Sequence, residues 1–483
     1  MLGAIVTALV QSSTATTVIT VSLVNAGIIS FAESLGIIFG ANVGTTLTAQ
    51  LVAFKLTAFA PIFIILGFLF KFLSKKTRLL WKPLFFFGLV FYGLMLISVA
   101  IDPIKSDPEI ISLFAGLSNV FVALAVGFIF TSIIQSSSVT TGLIVVLAQS
   151  GLIDLQSGIP LLLGTNIGTS TTALFVSLGL NLHAKRTGFA NFLFKVLGAA
   201  LFLPFLGIFA WLIQLIGGSA GQQIANAHVI FNIVIAAVFL IFINQFKLLV
   251  EKLVPGEEEE ILFKTKYLTE QLPENTDHVF KLIKKELVYS LNISQMIYEE
   301  SLKLFKNPNK KGFMKLEKLD LLNNYLDDQI THAILQVSNK ELNKVGAKKT
   351  VLLVQISNTI EQLGDLGEDL GQVSKDLFEK GINLPYESIE AVDKIYHKMK
   401  LNLDIIQKEF PYISEKIYHE LKNNEEEILD LINARYEEHL IRLQDGDKEY
   451  KGSTFVESVT IMENSVSKLR EIRKFCEKYS ELK

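Results

Sequence analysis

Hydrophobic residues follow two different rhythms along the 483-residue chain. Up to about Pro255 they form long runs bounded by charge, and beyond it they recur at helical spacing among Lys, Asp and Glu. A helix that crosses a bilayer needs about 20 apolar residues. Runs of that kind from Ala58 to Leu73, Leu84 to Ile101 and Ala227 to Phe246 predict spanning helices. The stretch from Thr187 to Ile216 is apolar but longer, with Gly198 and Pro204 inside it, which leaves open whether it crosses once with a kink. The other apolar segments carry clusters of Gly, Ser, Thr, Asn and Gln at what would be bilayer depth.

Those polar-studded segments form an internal repeat. Laid over Gly127 to Ala173 at a constant offset of 124, Gly3 to Ala49 matches at 18 of 47 positions without a gap. Gln11 to Thr17 (QSSTATT) falls on Gln135 to Thr141 (QSSSVTT), and Gly40 to Thr46 (GANVGTT) falls on Gly164 to Ser170 (GTNIGTS). Identities concentrate in the polar clusters, whereas the residues between them mostly just stay apolar.

Basic residues in short loops favour the cytoplasm. Lys71, Lys75, Lys76, Arg78 and Lys82 place one loop inside, Asp102, Asp107 and Glu109 then lie outside, and Lys185 and Arg186 are inside again. On that count the second GTNIGTS segment ends inside and the first GANVGTT segment outside, so the repeats are expected to be inverted. Leu113 to Gln149 must start and finish outside, as a helical hairpin with Gln135 to Ser138 near its tip, and the first QSS is expected to mirror it from the cytoplasmic side. Inverted repeats with broken helices near the midplane are the architecture of secondary transporters.

The broken segments suggest their own chemistry. A half-helix that begins just after QSS offers free backbone NH groups and about half a positive charge at its N-terminus, which suits an anion. Ser and Thr hydroxyls and Gln amides add donors without a fixed charge. Unwound Gly-Asn-Thr segments would expose carbonyl oxygens and, with the Asn and Thr side chains, form an oxygen shell for a hard cation such as sodium. One such stretch alone would be read as helix-packing glue; recurrence at one spacing in opposed orientations favours a site.

Charge sharpens the division of the chain. Residues 1 to 255 hold 12 Lys+Arg and 6 Asp+Glu, against 33 and 42 in the remainder, within a total net charge of -3. So uncharged a first half excludes an ordinary soluble protein, and the second half excludes one that is membrane throughout. Acidic residues are nearly absent from the spans, which leaves sodium a better coupling ion than a carboxylate proton relay. The single cysteine, Cys476, has no partner for an internal disulfide.

The two QSS and G-x-N-x-G-T pairs resemble those of the type II sodium/phosphate cotransporter family, and Ala227 to Asn232 resembles that family's H-x-x-F-N helix. The resemblance covers about residues 1 to 245. It implies an all-α, polytopic membrane transporter embedded in the lipid bilayer, with sodium-coupled symport of inorganic phosphate; a phosphate exporter and a non-transporting phosphate sensor or signalling membrane protein are the alternative readings. With no Ser/His/Asp arrangement, phosphate loop or zinc spacing in the helical half, no enzymatic activity is expected. Gln11, Ser12, Ser13, Gln135, Ser136, Ser137 and Ser138 would then bind phosphate. Thr14, Thr16, Asn42, Thr45, Thr46, Thr140, Asn166, Thr169 and Ser170 would bind sodium. A homodimer is also implied by the resemblance alone, and no nucleic-acid partner is expected.

Three departures stand out. Thr14 replaces the motif's fourth serine. Met1 lies only ten residues before Gln11, where relatives carry a further membrane segment, so either the hairpin's first arm is short or the sequence starts inside a longer product. Asn191-Phe192-Leu193-Phe194-Lys195 stands where H-x-x-F-N is usual; Lys195 either snorkels to an interface or acts near the anion or in place of a cation. His228 is expected to be a hydrogen-bonded packing histidine one turn from Asn232 rather than a proton-sensitive group.

The expected layout is a membrane domain over 1–250 (repeat 1 about 1–101, repeat 2 about 113–217, a final helix about 225–246), a linker over 251–270 and a helical domain over 271–483. The linker holds Pro255-Gly256 and Glu257 to Glu260. The helical domain should be cytoplasmic and built of two three-helix units, near Asp277 to Phe305, Gly312 to Val337, Lys344 to Phe378, Glu387 to Glu409, Ser414 to Leu443 and Thr454 to Tyr479. Turn signals at Asn307-Pro308-Asn309, Leu384-Pro385 and Asp445-Gly446-Asp447 separate them. Its third helix resembles the E-x-x-x-D helix of PhoU-like regulators, which implies a metal site. Glu361, Asp365 and Asp369 stack at i, i+4, i+8, as do Asp320, Asn324 and Asp328 on the second helix; a solvated charged face is the other reading of the same spacing.

Overall fold

In the computed structural model the described residues are 1–54, 56–72, 77–256, 260–269, 271–338, 342–382, 386–444 and 452–482. Among them there is helix and no strand. Lys75 and Lys76, Glu257 to Glu259, and the Leu384-Pro385 and Asp445-Gly446-Asp447 turns lie outside the described residues. The chain separates into two compact units, Met1–Glu260 and Ile261–Lys483.

The first unit begins with α1 (Leu2–Val10), α2 (Ser13–Asn25), α3 (Phe31–Gly44), α4 (Leu47–Ala53), α5 (Ala60–Phe70) and α6 (Trp81–Ile101). It continues through α7 (Pro108–Ala115), α8 (Val120–Ile134), α9 (Ser137–Gln149), α10 (Leu155–Thr169) and α11 (Thr171–Ser177). It ends with α12 (Leu182–Phe202), α13 (Leu206–Ile216), α14 (Ala220–Ile241) and α15 (Ile243–Leu253). By length and composition, Phe31–Ala53, Trp81–Ile101, Leu155–Ser177, Leu182–Ile216 and Ala220–Ile241 can each cross a membrane. Pro108–Ser118 and Val120–Ile134 form a pair bent by 103°. This is a polytopic helical membrane unit.

The stretch left open in the sequence is continuous apart from a 3-10 turn at Leu203–Phe205, around Pro204. The 35 residues of the whole helical run Leu182–Ile216 would reach about 52 Å if straight, well beyond the ~30 Å hydrocarbon core. The run read as a span from Ala58 is shorter than expected, a 3-10 turn at Leu56–Phe59 followed by the 11 residues of α5. It packs antiparallel on α6: a Cβ on Gly67 would meet Phe85, and one on Gly88 would meet Ile64.

Glycine governs how the two repeats assemble. A Cβ on Gly40 would lie 3.0 Å from the Ala4 nitrogen, and one on Gly44 only 2.4 Å from the Ala4 oxygen. The same holds a repeat later, where Cβ atoms on Gly164 and Gly168 would lie 2.0 Å from the Leu124 oxygen and 2.6 Å from the Phe128 oxygen. Contacts advance together along both chains, so α3 lies parallel on α1 and α10 parallel on α8, each through a G-x-x-x-G face. This corrects the expectation of unwound Gly-Asn-Thr segments. Helix α3 runs through Asn42 to Gly44 and α10 through Asn166 to Thr169, and the helices break only afterwards, at Thr45-Thr46 and at Ser170. The glycines are there for close helix packing and not to free carbonyl groups.

At one end of the unit, the rings of Phe39, Phe194, Phe239 and Phe246 join α3, α12, α14 and α15, with Phe39 to Phe194 centroids 4.6 Å apart. Arg186 donates to the carbonyl oxygens of Val254 (3.1 Å) and Gly256 (3.0 Å), which pins the segment after α15 onto α12.

The second unit consists of α16 (Thr276–Lys306), α17 (Lys310–Ser338), α18 (Lys344–Glu379), α19 (Tyr386–Glu409), α20 (Glu415–Gln444) and α21 (Gly452–Glu481). These limits fall within one or two residues of the periodic stretches, because each helix buries one apolar stripe in a common core. Helices α16, α17 and α18 pack on one another, as do α19, α20 and α21, and the two sets meet along α18 with α21 and α16 with α19. Buried Glu286 accepts from the backbone NH groups of Lys266 (2.7 Å), Tyr267 (2.6 Å) and Leu268 (3.0 Å), tying the leading strap to α16. Glu425 and Arg473, both buried, form a two-pronged pair at 2.8 and 2.9 Å.

Substituting Gly164→Ala should prevent the full chain from being recovered as a single monodisperse species from detergent, as read by size-exclusion chromatography. Gly36→Ala, whose Cβ would meet nothing within 4 Å, should elute unchanged.

Candidate functional site

Each QSS motif breaks a membrane-embedded helix in the same way. Gln11 ends α1 in the left-handed conformation (φ 57°) and Gln135 ends α8 likewise (φ 58°). Among the described residues these two glutamines are the only non-glycine residues with positive φ. Such a backbone costs about 1–3 kcal/mol and persists where the surroundings enforce it, commonly at functional sites. The following serine is extended and caps the next helix: Ser12 Oγ accepts from Ala15 N at 3.1 Å, and Ser136 Oγ from Val139 N at 3.4 Å. The new half-helices therefore start inside the motif, at Ser13 and Ser137, rather than after it. At 15 and 13 residues, α8 and α9 reach about 22 and 20 Å, so neither crosses the bilayer alone.

The two motifs meet through a residue that the motif reading passed over. The Thr48 hydroxyl donates to Gln11 Oε1 and also lies 3.5 Å from Ser138 Oγ, so it bridges the first QSS to the second. Gln135 has no counterpart of this link: its side chain is exposed, whereas Gln11 is partly buried. Thr7 is another omission, donating to Thr16 Oγ1 at 2.9 Å. Buried hydroxyls of Ser13, Thr131, Thr141 and Thr165 have no protein partner, which leaves unused donors in both repeats. The signal for Thr7 and Thr48 was present at offset 124, where both recur as Thr131 and Thr172.

A second node joins the G-x-N-x-G-T segments. Asn42 and Asn166, at equivalent repeat positions, both donate to Asn232 Oδ1 on α14, the latter at 3.3 Å. Asn232 in turn donates to the His228 carbonyl oxygen at 2.7 Å. His228 is buried with neither ring nitrogen bonded, so the expected hydrogen-bonded packing histidine is corrected: the bond to Asn232 runs through its backbone. The Asn42 side-chain oxygen is likewise buried and unpartnered.

The hydroxyls assigned to sodium mostly donate to their own helix: Thr16 to Ser12 O, Thr46 to Val43 O, Thr140 to Ser136 O, Thr169 to Thr165 O and Ser170 to Ile167 O. A hydroxyl that has given its proton inward keeps its lone pairs for an acceptor role, which is what a hard cation requires. Thr14 and Thr45 make no hydrogen bond through their side chains, and Thr45 is buried. Ser137 is buried and Ser138 half-buried.

In the second unit the stacked acids face one another across α17 and α18 without forming a metal centre. Among the described residues no three acidic, histidine or cysteine side chains converge closely enough to hold an ion. Helical geometry accounts for part of the discrepancy. A step of eight residues rotates about 80° past full turns, whereas seven falls about 20° short. It is therefore Asp327 that shares the Asp320 face and accepts from Ser357 Oγ (2.7 Å), while Asp328 is exposed. Burial first, then the like charges of Asp365, Glu368, Asp369 and Glu317, push the Asp320 carboxyl up to about 6. Burial and the neighbouring Asp365, Asp327 and Asp320 push Glu361 up to about 7.

Both acids bind protons more tightly folded than unfolded. Their stabilising contribution is thus complete below the ordinary carboxylate range near 4 and is lost as pH rises through about 6 to 7. Asp320→Asn should slow the hydrogen exchange of amides in α17 and α18 of the full chain near pH 7.5, and should do so less near pH 5 once the pH dependence of intrinsic exchange is corrected for.

The Na+/Pi-cotransporter family matches residues 1–99 and 110–243. The uncharacterized protein YqeW of Bacillus subtilis is 32% identical over 261 residues, covering 53% of this chain and 84% of that protein. A putative inorganic phosphate export protein, YjbB of Escherichia coli, is 25% identical over 411 residues, covering 84% of this chain and 75% of that one. An alignment of that length cannot fit inside Met1–Glu260 and so extends into the second unit. The sodium-dependent phosphate transport protein 2A of the rat is 47% identical over 62 residues, 13% of this chain and 10% of that one. No solved structure matches. With a family match across both polar repeats and a relative covered over most of its length, this chain belongs to the Na+/Pi-cotransporter family, a family of membrane transporters and not of enzymes.

Proposed function

We propose that the first unit carries sodium-coupled symport of inorganic phosphate across the plasma membrane, with the anion held between two inverted Gln-Ser breaks. The single observation that carries this is the Gln11–Thr48–Ser138 link, which brings residues of both motifs to one place. The groups offered there are hydroxyls, amides and the N-termini of α2 and α9, with no fixed charge in either motif. They suit a divalent oxyanion held by many hydrogen bonds and still able to leave. Gln11, Ser12, Ser13, Gln135, Ser136, Ser137 and Ser138 are assigned to phosphate.

Thr14, Thr16, Thr140 and the hydroxyl and amide oxygens of Asn42, Thr45, Thr46, Asn166, Thr169 and Ser170 are assigned to sodium. The name of the rat relative, a sodium-dependent phosphate transporter, supports that ion. The acid-rich second unit is assigned to the cytoplasmic side as a PhoU-like regulatory module. A second reading, net export, is favoured by the name of the Escherichia coli relative that spans both units.

The full chain in proteoliposomes should take up labelled phosphate only down an imposed sodium gradient, with potassium and lithium as controls. Uptake indifferent to sodium would refute the coupling. Gln11→Ala and Gln135→Ala should each lower flux at least about tenfold, and full activity in both would show that the anion sits elsewhere. Phosphate loaded inside and chased outward under the reversed gradient reads the export direction in the same vesicles.

A further inference from the structure

Lys195 lies in α12, well inside a membrane-crossing stretch, yet it is only 4% exposed. A lysine that snorkels would show its ammonium at the interface; this one does not. Among the described residues it takes part in no hydrogen bond or ion pair. Its neighbours fix its surroundings. Phe194 packs on Phe39 of α3 and Phe239 of α14, a Cβ on Gly198 would meet Ile235 of α14, and Lys195 is within electrostatic range of His228. It therefore sits beside the Asn232 node that gathers Asn42 and Asn166 from both repeats.

The acids of this unit that are among the described residues are committed elsewhere. Glu33 closes the capping box of α3, and Asp102 pairs with Lys105 at 2.7 Å. Asp107 and Asp154 cap α7 and α10, and Glu109 is exposed. Glu251 lies 3.8 Å from Lys247, and Glu260 accepts from Phe31 N beside His183. A buried ammonium without an anion is among the costliest arrangements a membrane protein can hold, so its presence calls for a counter-charge that the described residues do not supply. The first unit also contains the same pattern twice: Asn191-Phe-Leu-Phe-Lys195 on α12 and His228-Val-Ile-Phe-Asn232 on α14, with both polar ends of each buried. Within that spacing Lys195 stands where the neutral Asn232 stands in the second segment.

We propose that Lys195 is a fixed counter-cation for the transported oxyanion, so that this chain moves each phosphate with one sodium ion fewer than it would with a neutral residue there. Lys195 does not bond the anion in place of the Gln-Ser donors; it offsets charge that a mobile cation would otherwise have to carry. This rests on the transport reading above and adds a coupling ratio to it.

The test is the ratio of sodium to phosphate entering the same proteoliposomes, measured with both isotopes, together with the charge moved per phosphate. Lys195→Asn should gain one sodium ion and one positive charge per phosphate relative to the wild type, and sodium activation should steepen. Lys195→Arg should keep the wild-type ratio. If Lys195→Asn is not recovered monodisperse, Lys195→Gln serves with the same expectation. A wild type that transports phosphate with a ratio unchanged in the neutral variants overturns the role of Lys195 while leaving transport intact. A wild type that moves no phosphate at all refutes the transport reading, and this proposal with it.

Discussion

A helix interrupted at bilayer depth has to satisfy its freed backbone groups from within the protein, and the first unit is organised around that requirement. Two interruptions are made identically. A glutamine forced into the left-handed region ends one half-helix, and the next serine, extended, caps the following one with its own hydroxyl. Thr16 and Thr140 then reach back to the Ser12 and Ser136 carbonyl oxygens. The strain of two left-handed glutamines is held in place because α1 and α8 are pressed along glycine faces of α3 and α10, too close for any side chain to intervene. Packing and polar chemistry are thus one arrangement: the G-x-N-x-G segments press the broken helices into position with their glycines and meet at Asn232 through their asparagines.

Charge is kept out of both motifs. Hydroxyls and amides bind an oxyanion more weakly than arginine would, and a carrier must release what it binds. Lys195 stands apart from that economy of charge, buried beside the asparagine node and unpaired. Its position connects the electrostatics of the spans to the number of ions that must accompany the anion.

The second unit solves a different problem. Its helices are long and amphipathic, and its core closes through aliphatic stripes with a few buried polar locks, notably Glu286 on three backbone NH groups and Glu425 on Arg473. The acids facing one another between α17 and α18 work against folding at neutral pH and are relieved by protonation. The raised proton affinity of these carboxylates, reaching about 7 at Glu361, comes first from burial and then from the like charges gathered around them.

Periodicity carried the helices of the second unit almost to the residue, since an amphipathic stripe is a local property of the chain. The repeat carried the equivalence of Gln11 with Gln135 and of Asn42 with Asn166, because identical local chemistry at one spacing folds alike. It did not reveal where the helices break, since G-x-N-x-G is compatible both with an unwound segment and with a close helix contact. Only the approach of α1 to α3 and of α8 to α10 selects the second. Nor could it distinguish Asp327 from Asp328 on a charged helix, where the facing partner on α18 decides which acid is turned inward. What the sequence by itself determined was the division into a charge-poor membrane half and a charged helical half, and the two Gln-Ser motifs as places where helices are interrupted. Tertiary structure alone decided that Thr48 bridges the two motifs, that one Asn232 oxygen serves both asparagines and that Lys195 is buried with no counter-ion among the described residues, because each depends on helices distant in sequence being brought to one point.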